Sequence, residues 1–174
     1  MIDAIKERRA VRSYITEEKV PKDVLENIIK AAQNAPTGCD FQSYDFIVDT
    51  NREHLTKIAH AVYNSFPGID KFLKDPDIFY GAPCVIFIVP ARPFREDCCV
   101  YDMGIIGQSI CLEAKVQGYS SVQIGFVHGT NPEVLKPFLD LPRGLSPLAV
   151  AIGKPSPDFT PAPKEITSKI HWIE

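Results

Sequence analysis

Seven consecutive residues, Pro83-Cys84-Val85-Ile86-Phe87-Ile88-Val89, form an unbroken apolar run rich in β-branched side chains. Such a run reads as a strand covered on both faces, so it belongs at the centre of a sheet with other elements layered above and below it. The chain can supply those layers. With 174 residues and 45% hydrophobic content it fits one compact domain, 1–174, that buries its core without disulfides or metal.

The pattern around this strand alternates helices and strands. Residues 2–9 read as a short helix and 21–34 as a longer one, with Pro21 in its first turn and Val24, Leu25, Ile28, Ile29 and Ala32 on one stripe. Pro36 and Gly38 stop it. Residues 44–48 read as a strand, and Thr50 with Glu53 as a capping box that opens a helix through Leu55, Ile58, Ala59 and Val62. After the loop at 90–95, residues 98–116 form a helix with Ile105, Ile106, Ile110, Leu112 and Ala114 on all sides, the pattern of a buried helix, for which a place between subunits is one option. Gly118 ends it. A strand at 121–124, a helix from Asn131 and Pro132 to Leu139 and a strand at 148–152 follow, with a proline-rich tail over 155–163. This alternation implies a mixed sheet layered with helices.

Charge and motifs narrow the function. A net charge of −3 argues against a general polyanion binder, so no nucleic acid is expected. The charged amino terminus lacks a signal-peptide core and no run of about 18 apolar residues occurs, so the expectation is a cytoplasmic protein with no membrane span. Five cysteines without CxxC spacing indicate neither a disulfide framework nor a zinc site; reduced thiols are expected, with Cys39 the exception to watch. No Ser-His-Asp order, HExxH, Walker motif or GxGxxG is present. A cofactor must supply the reactivity.

Three stretches could hold one. Lys6, Arg8, Arg9 and Arg12 make the densest basic cluster; arginine suits phosphate because its planar fork donates paired, charge-assisted hydrogen bonds of roughly 1.5–3 kcal/mol each. On its own the cluster reads first as a solvated helix face. Residues 35–44 (Ala-Pro-Thr-Gly-Cys-Asp-Phe-Gln-Ser-Tyr) join a helix end to a strand through small residues that let backbone approach a ligand, and read alone as a connecting loop. In Ile124-Gly125-Phe126-Val127-His128-Gly129 two glycines follow a strand, where exposed amides could meet a planar cofactor; His128 could donate a proton there or simply be solvated.

Together these stretches resemble the nitroreductase family of FMN enzymes, in the family's order and over nearly the whole chain. Arg8 to Tyr14 (Arg-Arg-Ala-Val-Arg-Ser-Tyr) is similar to the opening RRSVRxF, with Ala10 in place of serine. Residues 35–44 resemble APSxxNxQPW, with Asp40 in place of asparagine and Ser43-Tyr44 in place of Pro-Trp. Tyr101-Asp102-Met103-Gly104 and the residues to Gly118 resemble the family's dimer helix, Ile124-Gly125 the backbone facing flavin N5, and 148–155 the closing strand with its IGxP ending.

The resemblance implies an α+β fold with a central, mainly antiparallel sheet flanked by helices in an intertwined homodimer. It implies FMN at the subunit interface and NADH or NADPH as donor. Arg8, Arg9, Ala10 and Arg12 would hold the phosphate and one ring edge. Pro36, Thr37, Gly38, Asp40 and Gln42 would reach the flavin of the other subunit, and Ile124 and Gly125 would face N5. Asn64 and Lys164 are further candidates, for the pyrimidine edge and the phosphate. No side chain need act as acid or base, because the chemistry falls on flavin N5. A small organic acceptor, nitroaromatic or quinone, would follow the donor at the same face. Asp40 would lower the flavin potential through like-charge repulsion. The short link between Val89 and Asp97 leaves no room for a lid. A flavin-binding module for sensing or storage with little turnover, and a basic docking surface for an acidic protein, remain alternatives.

Overall fold

Every residue of β2 (Cys84–Pro90) is buried, as its unbroken apolar run requires, and the sheet assembles around it. The computed structural model describes residues 3–93 and 98–173, so part of the link between Val89 and Asp97 lies outside the described residues. β2 is flanked by β1 (Tyr44–Asp49) and β4 (Leu148–Gly153), and β3 (Ser120–Ile124) completes the order β1-β2-β4-β3. All three pairings are antiparallel: Tyr44 lies opposite Pro90, Cys84 opposite Ile152 and Ser120 opposite Gly153. This corrects the mixed sheet read from simple alternation. One isolated parallel bridge, Ala10 to Ser121, lays the N-terminal chain along β3.

Side chains alternate across the sheet, and each face has its own cover. Cys84, Ile86, Ile88, Val150 and Ile152 pack with Leu25, Ile28 and Ala32 of α2 (Lys22–Gln33) and Met103, Ile106, Ile110 and Ala114 of α4 (Cys99–Val116). Val85, Phe87, Val89, Ala149 and Ala151 pack with Leu55, Ile58, Ala59 and Val62 of α3 (Arg52–Ser65) and with Phe79, whose ring meets Phe87 edge-on. Each fully buried Val, Leu, Ile, Phe or Met among them contributes roughly 1.5–3 kcal/mol. The close packing explains Gly153: a Cβ there would lie 2.7 Å from Pro83 Cδ and 3.0 Å from the Tyr14 ring.

Three local expectations shift. The cap of α3 is Asn51, whose side chain accepts from His54 N at 3.2 Å, and not Thr50. Asp49 explains the shift, because its carboxylate accepts from Asn51 N at 2.9 Å and meets His54 Nδ1 at 2.6 Å, holding Asn51 extended at the helix entrance. Past β3 the chain forms one helical turn, α5 (Gly125–Gly129), in place of an open loop. α6 spans only Pro132–Leu135, short of the expected Leu139, because Pro137 has no N–H to continue it. Leu135 and Leu139 still reach the core.

Candidate functional site

A cleft of about 500 Å³ opens where β3 ends, bordered by Arg12, Tyr80, Phe66, Phe126, Ile124 and Gly125. The backbone places its parts. Leaving α1 (Asp3–Glu7), the chain runs beside β3, where Val11 N donates to Ser121 O at 3.3 Å, and then meets the 77–81 turn, where Tyr14 N donates to Tyr80 O at 3.1 Å. Arg12 lies between these anchors, exposed at the cleft. Ile124 closes β3 and Gly125 opens α5; a Cβ on Gly125 would meet nothing within 4 Å, so this backbone is open to a ligand. Phe66 and Phe126 form one wall, with ring centroids 5.3 Å apart and planes at 84°. The Arg12 guanidinium faces the Tyr80 phenol and favours its ionised form, but burial outweighs this and pushes the phenol up.

A smaller hollow of about 150 Å³, sharing no lining residue with the cleft, is bordered by Arg8, Arg9, Cys111 and Pro161. Arg8 is half-buried there. Arg9 is partly committed elsewhere, since its Nη1 donates to Lys6 O at 2.6 Å and Arg8 O at 2.9 Å. Burial pushes the Cys111 thiol up, with Ser121 and Arg8 acting the other way. Ala10 is fixed alongside by its bridge to Ser121.

Pro36, Thr37, Gly38, Asp40 and Gln42 cluster in a separate loop. Gly38 N donates to Asp102 Oδ1 at 3.0 Å, Gln42 N to Thr37 Oγ1 at 3.1 Å, and Gln42 Nε2 to Asp40 Oδ1 at 2.8 Å. The buried Asp102 carboxylate also accepts from the Tyr44 hydroxyl at 3.3 Å, and burial raises the Tyr44 phenol strongly. Cys39, Asp40 and Gln42 hold left-handed backbone at φ 52°, 53° and 48°. Asp40 tolerates this conformation, whereas Cys39 and Gln42 each cost about 1–2 kcal/mol in it. Thr37 and Gln42 border another cavity, with Arg92 and Phe46, and not the Arg12 cleft.

The sequence-derived residues thus fall into two groups within one chain: Arg8, Arg9, Ala10, Arg12, Ile124 and Gly125 around the cleft and the hollow, and 36–42 apart from them. Asn64 is exposed on the last turn of α3, two residues before Phe66 of the cleft wall. Lys164 lies in exposed chain three residues beyond Pro161 of the hollow. His128 borders a different cavity, with Nδ1 at 3.2 Å from Ser146 O. Tyr80 and Gln123, which border the cleft, and Asp102, which anchors Gly38, lie outside the three stretches that the sequence marks. Asp102, a carboxylate in an apolar helix, offered the clearest overlooked signal.

An aromatic-walled cleft with a guanidinium at its rim, on a helix-flanked antiparallel sheet, offers a flat wall to a planar ring, and the arginine-bearing hollow offers cations to an anionic group. Residues 5–154 match the Nitroreductase family model, and the chain belongs to that family. It is 30% identical over 167 residues to FMN reductase [NAD(P)H] of Bacillus subtilis (strain 168), spanning 90% of this chain and 66% of that protein's length. It is also 30% identical over 156 residues to a protein of Methanothermobacter thermautotrophicus provisionally named an NADH dehydrogenase/NAD(P)H nitroreductase, covering 83% of this chain and 76% of that one. The fold matches a nitroreductase of Bacteroides fragilis NCTC 9343 solved with bound FMN, at TM-score 0.86 and 22% identity, over 99% of this chain and 98% of that one.

Proposed function

We propose that this chain is an FMN-dependent oxidoreductase that takes reducing equivalents from NADH or NADPH and passes them to a small organic acceptor, nitroaromatic- or quinone-like, by a ping-pong sequence. The observation that carries the reading is the Arg12 cleft with its open Gly125 backbone. FMN fits the residues present: a flat ring suits the cleft between the aromatic wall and Gly125, and the Arg8 hollow suits a phosphate. When bound, FMN supplies the two-electron chemistry that no side chain here provides.

The chain's own residues bind and orient. Arg8 offers its fork to the phosphate, with Arg9 in support once its bonds to Lys6 O and Arg8 O are exchanged. Arg12 sets its charge at the ring edge, and the backbone from Ile124 to Gly125 presents polar groups to the ring without a side chain between. The 36–42 loop, set apart from this cleft in its own chain, serves the cleft of a second copy, so the working unit is a homodimer.

An absorption spectrum of the purified protein, followed by anaerobic titration with each nicotinamide, tests the reading. Flavin bands that bleach with NADH or NADPH and return on adding a quinone or nitroaromatic are expected. Flavin that never bleaches identifies a binding module without turnover, and protein that neither carries nor takes up FMN rejects both.

A further inference from the structure

Tyr80 combines three unusual properties. Its φ is 58°, a left-handed conformation that a bulky aromatic residue rarely adopts, and it is followed by Gly81 at φ 78°. The turn that imposes this geometry is heavily braced: the Asp77 carboxylate accepts from Phe79 N at 3.1 Å and Gly81 N at 2.8 Å while pairing with Arg52, and Gly81 O accepts from Thr16 Oγ1 at 2.8 Å. The braced turn presents the Tyr80 ring, half-buried, to the same cleft as Arg12, whose guanidinium faces the phenol. Strain kept in place by this many bonds is a mark of function when it aims a side chain at a site.

We propose that Tyr80 is a positioning residue for FMN, its hydroxyl oxygen accepting from the Arg12 guanidinium and holding that cation at the rim of the cleft. Arg12 is an exposed, long side chain, and an arginine loses rotamer freedom when a ligand immobilises it; a partner that has already fixed the guanidinium removes part of that cost. Tyr80 is suited to the task because its phenol stays protonated and neutral. It therefore orients the arginine without cancelling the charge that the ligand needs. The inference rests on FMN being the ligand of this cleft.

The test is a double-mutant cycle on FMN affinity, read from quenching of free FMN fluorescence on titration with apoprotein. Y80F keeps the ring and removes only the acceptor; it should melt within about 2 °C of the wild-type apoprotein and bind FMN about tenfold more weakly, the scale of one hydrogen bond to a charged group. R12A should bind more weakly still, and Y80F/R12A should match R12A, because the hydroxyl acts only through the guanidinium. The same variants should show a flavin midpoint potential in Y80F displaced from wild type towards that of R12A. Wild-type affinity in Y80F, or effects of Y80F and R12A that multiply, overturns the role of Tyr80 while leaving FMN binding intact. A wild-type apoprotein that quenches no FMN fluorescence overturns the cofactor reading, and this inference with it.

Discussion

At residue scale, the 36–42 loop holds two separable tests. Asp40 adopts φ 53°, a conformation that asparagine also tolerates, and its carboxylate accepts from the Gln42 amide. Asp40→Asn therefore changes charge with little change of backbone. A carboxylate beside a flavin opposes the negative charge gained on reduction, so the wild type should show a lower midpoint potential than Asp40→Asn in spectroelectrochemistry; equal potentials, or the reverse order, would reject the placement. Cys39 has no such tolerance at φ 52°. Cys39→Gly should relieve about 1–2 kcal/mol of strain against about 0.5–1 kcal/mol of lost backbone entropy, a net gain of about 0–1.5 kcal/mol, so that calorimetry should show a Tm that does not fall and rises by up to about 6 °C. Much of the cleft was legible in the chain, since Arg12, Ile124 and Gly125 sit in recognisable runs that the fold then brings together. Tyr80 was not, because its role follows from a dihedral angle and from Asp77, Thr16 and Arg52 meeting in space, none of which leaves a pattern in the local sequence.

The elements divide in the same way. β2 and α4 were readable because their composition admits one environment: a seven-residue apolar run has nowhere to go but the sheet interior, and the apolar residues of α4 demand cover on several sides. Boundaries were less readable where two candidates compete locally. Thr50 and Asn51 are both competent caps, and the choice falls to Asn51 because Asp49 fixes its amide and His54 from outside the helix. Asn51→Ala should accordingly destabilise the protein by about 1 kcal/mol in urea unfolding, whereas Thr50→Ala should change stability by less than about 0.5 kcal/mol. The reverse ranking would return the cap to Thr50. The arrest of α6 at Leu135 was visible in Pro137, but the burial of Leu139 beyond it favoured a longer helix on apolar spacing alone.

For the molecule as a whole, alkaline pH and association probe different parts of the structure. Burial, reinforced by Asp49, pushes the Cys84 thiol from 9.0 up to about 12, and burial raises the Tyr14 and Tyr44 phenols as well. The folded state thus keeps protons that the unfolded chain sheds, so stability should be flat below about pH 9 and fall above it by up to about 1.4 kcal/mol per pH unit for each such group; Cys84→Ala should make the decline between about pH 9 and 10 shallower. Association is the larger question, because a single chain leaves much apolar surface uncovered. Tyr101, Ile105 and Val116 are exposed along α4, and Ile166, Ile170, Trp172 and Ile173 project from an exposed tail. Exposed large apolar side chains on a helix and a tail suit an interface, and in the proposed homodimer a second copy covers those of α4. In the proposed homodimer the interface also has a role in binding, since the 36–42 loop does not border the Arg12 cleft of its own chain. Sedimentation should therefore report twice the 19.4 kDa chain mass, and Ile105→Glu, which sets a charge in the middle of the exposed α4 stripe, should shift the protein to monomer. If the loop completes the site across the interface, that monomer should keep its helical circular dichroism and lose FMN affinity by at least about tenfold. A folded Ile105→Glu monomer with undiminished affinity would show that one chain builds the whole site.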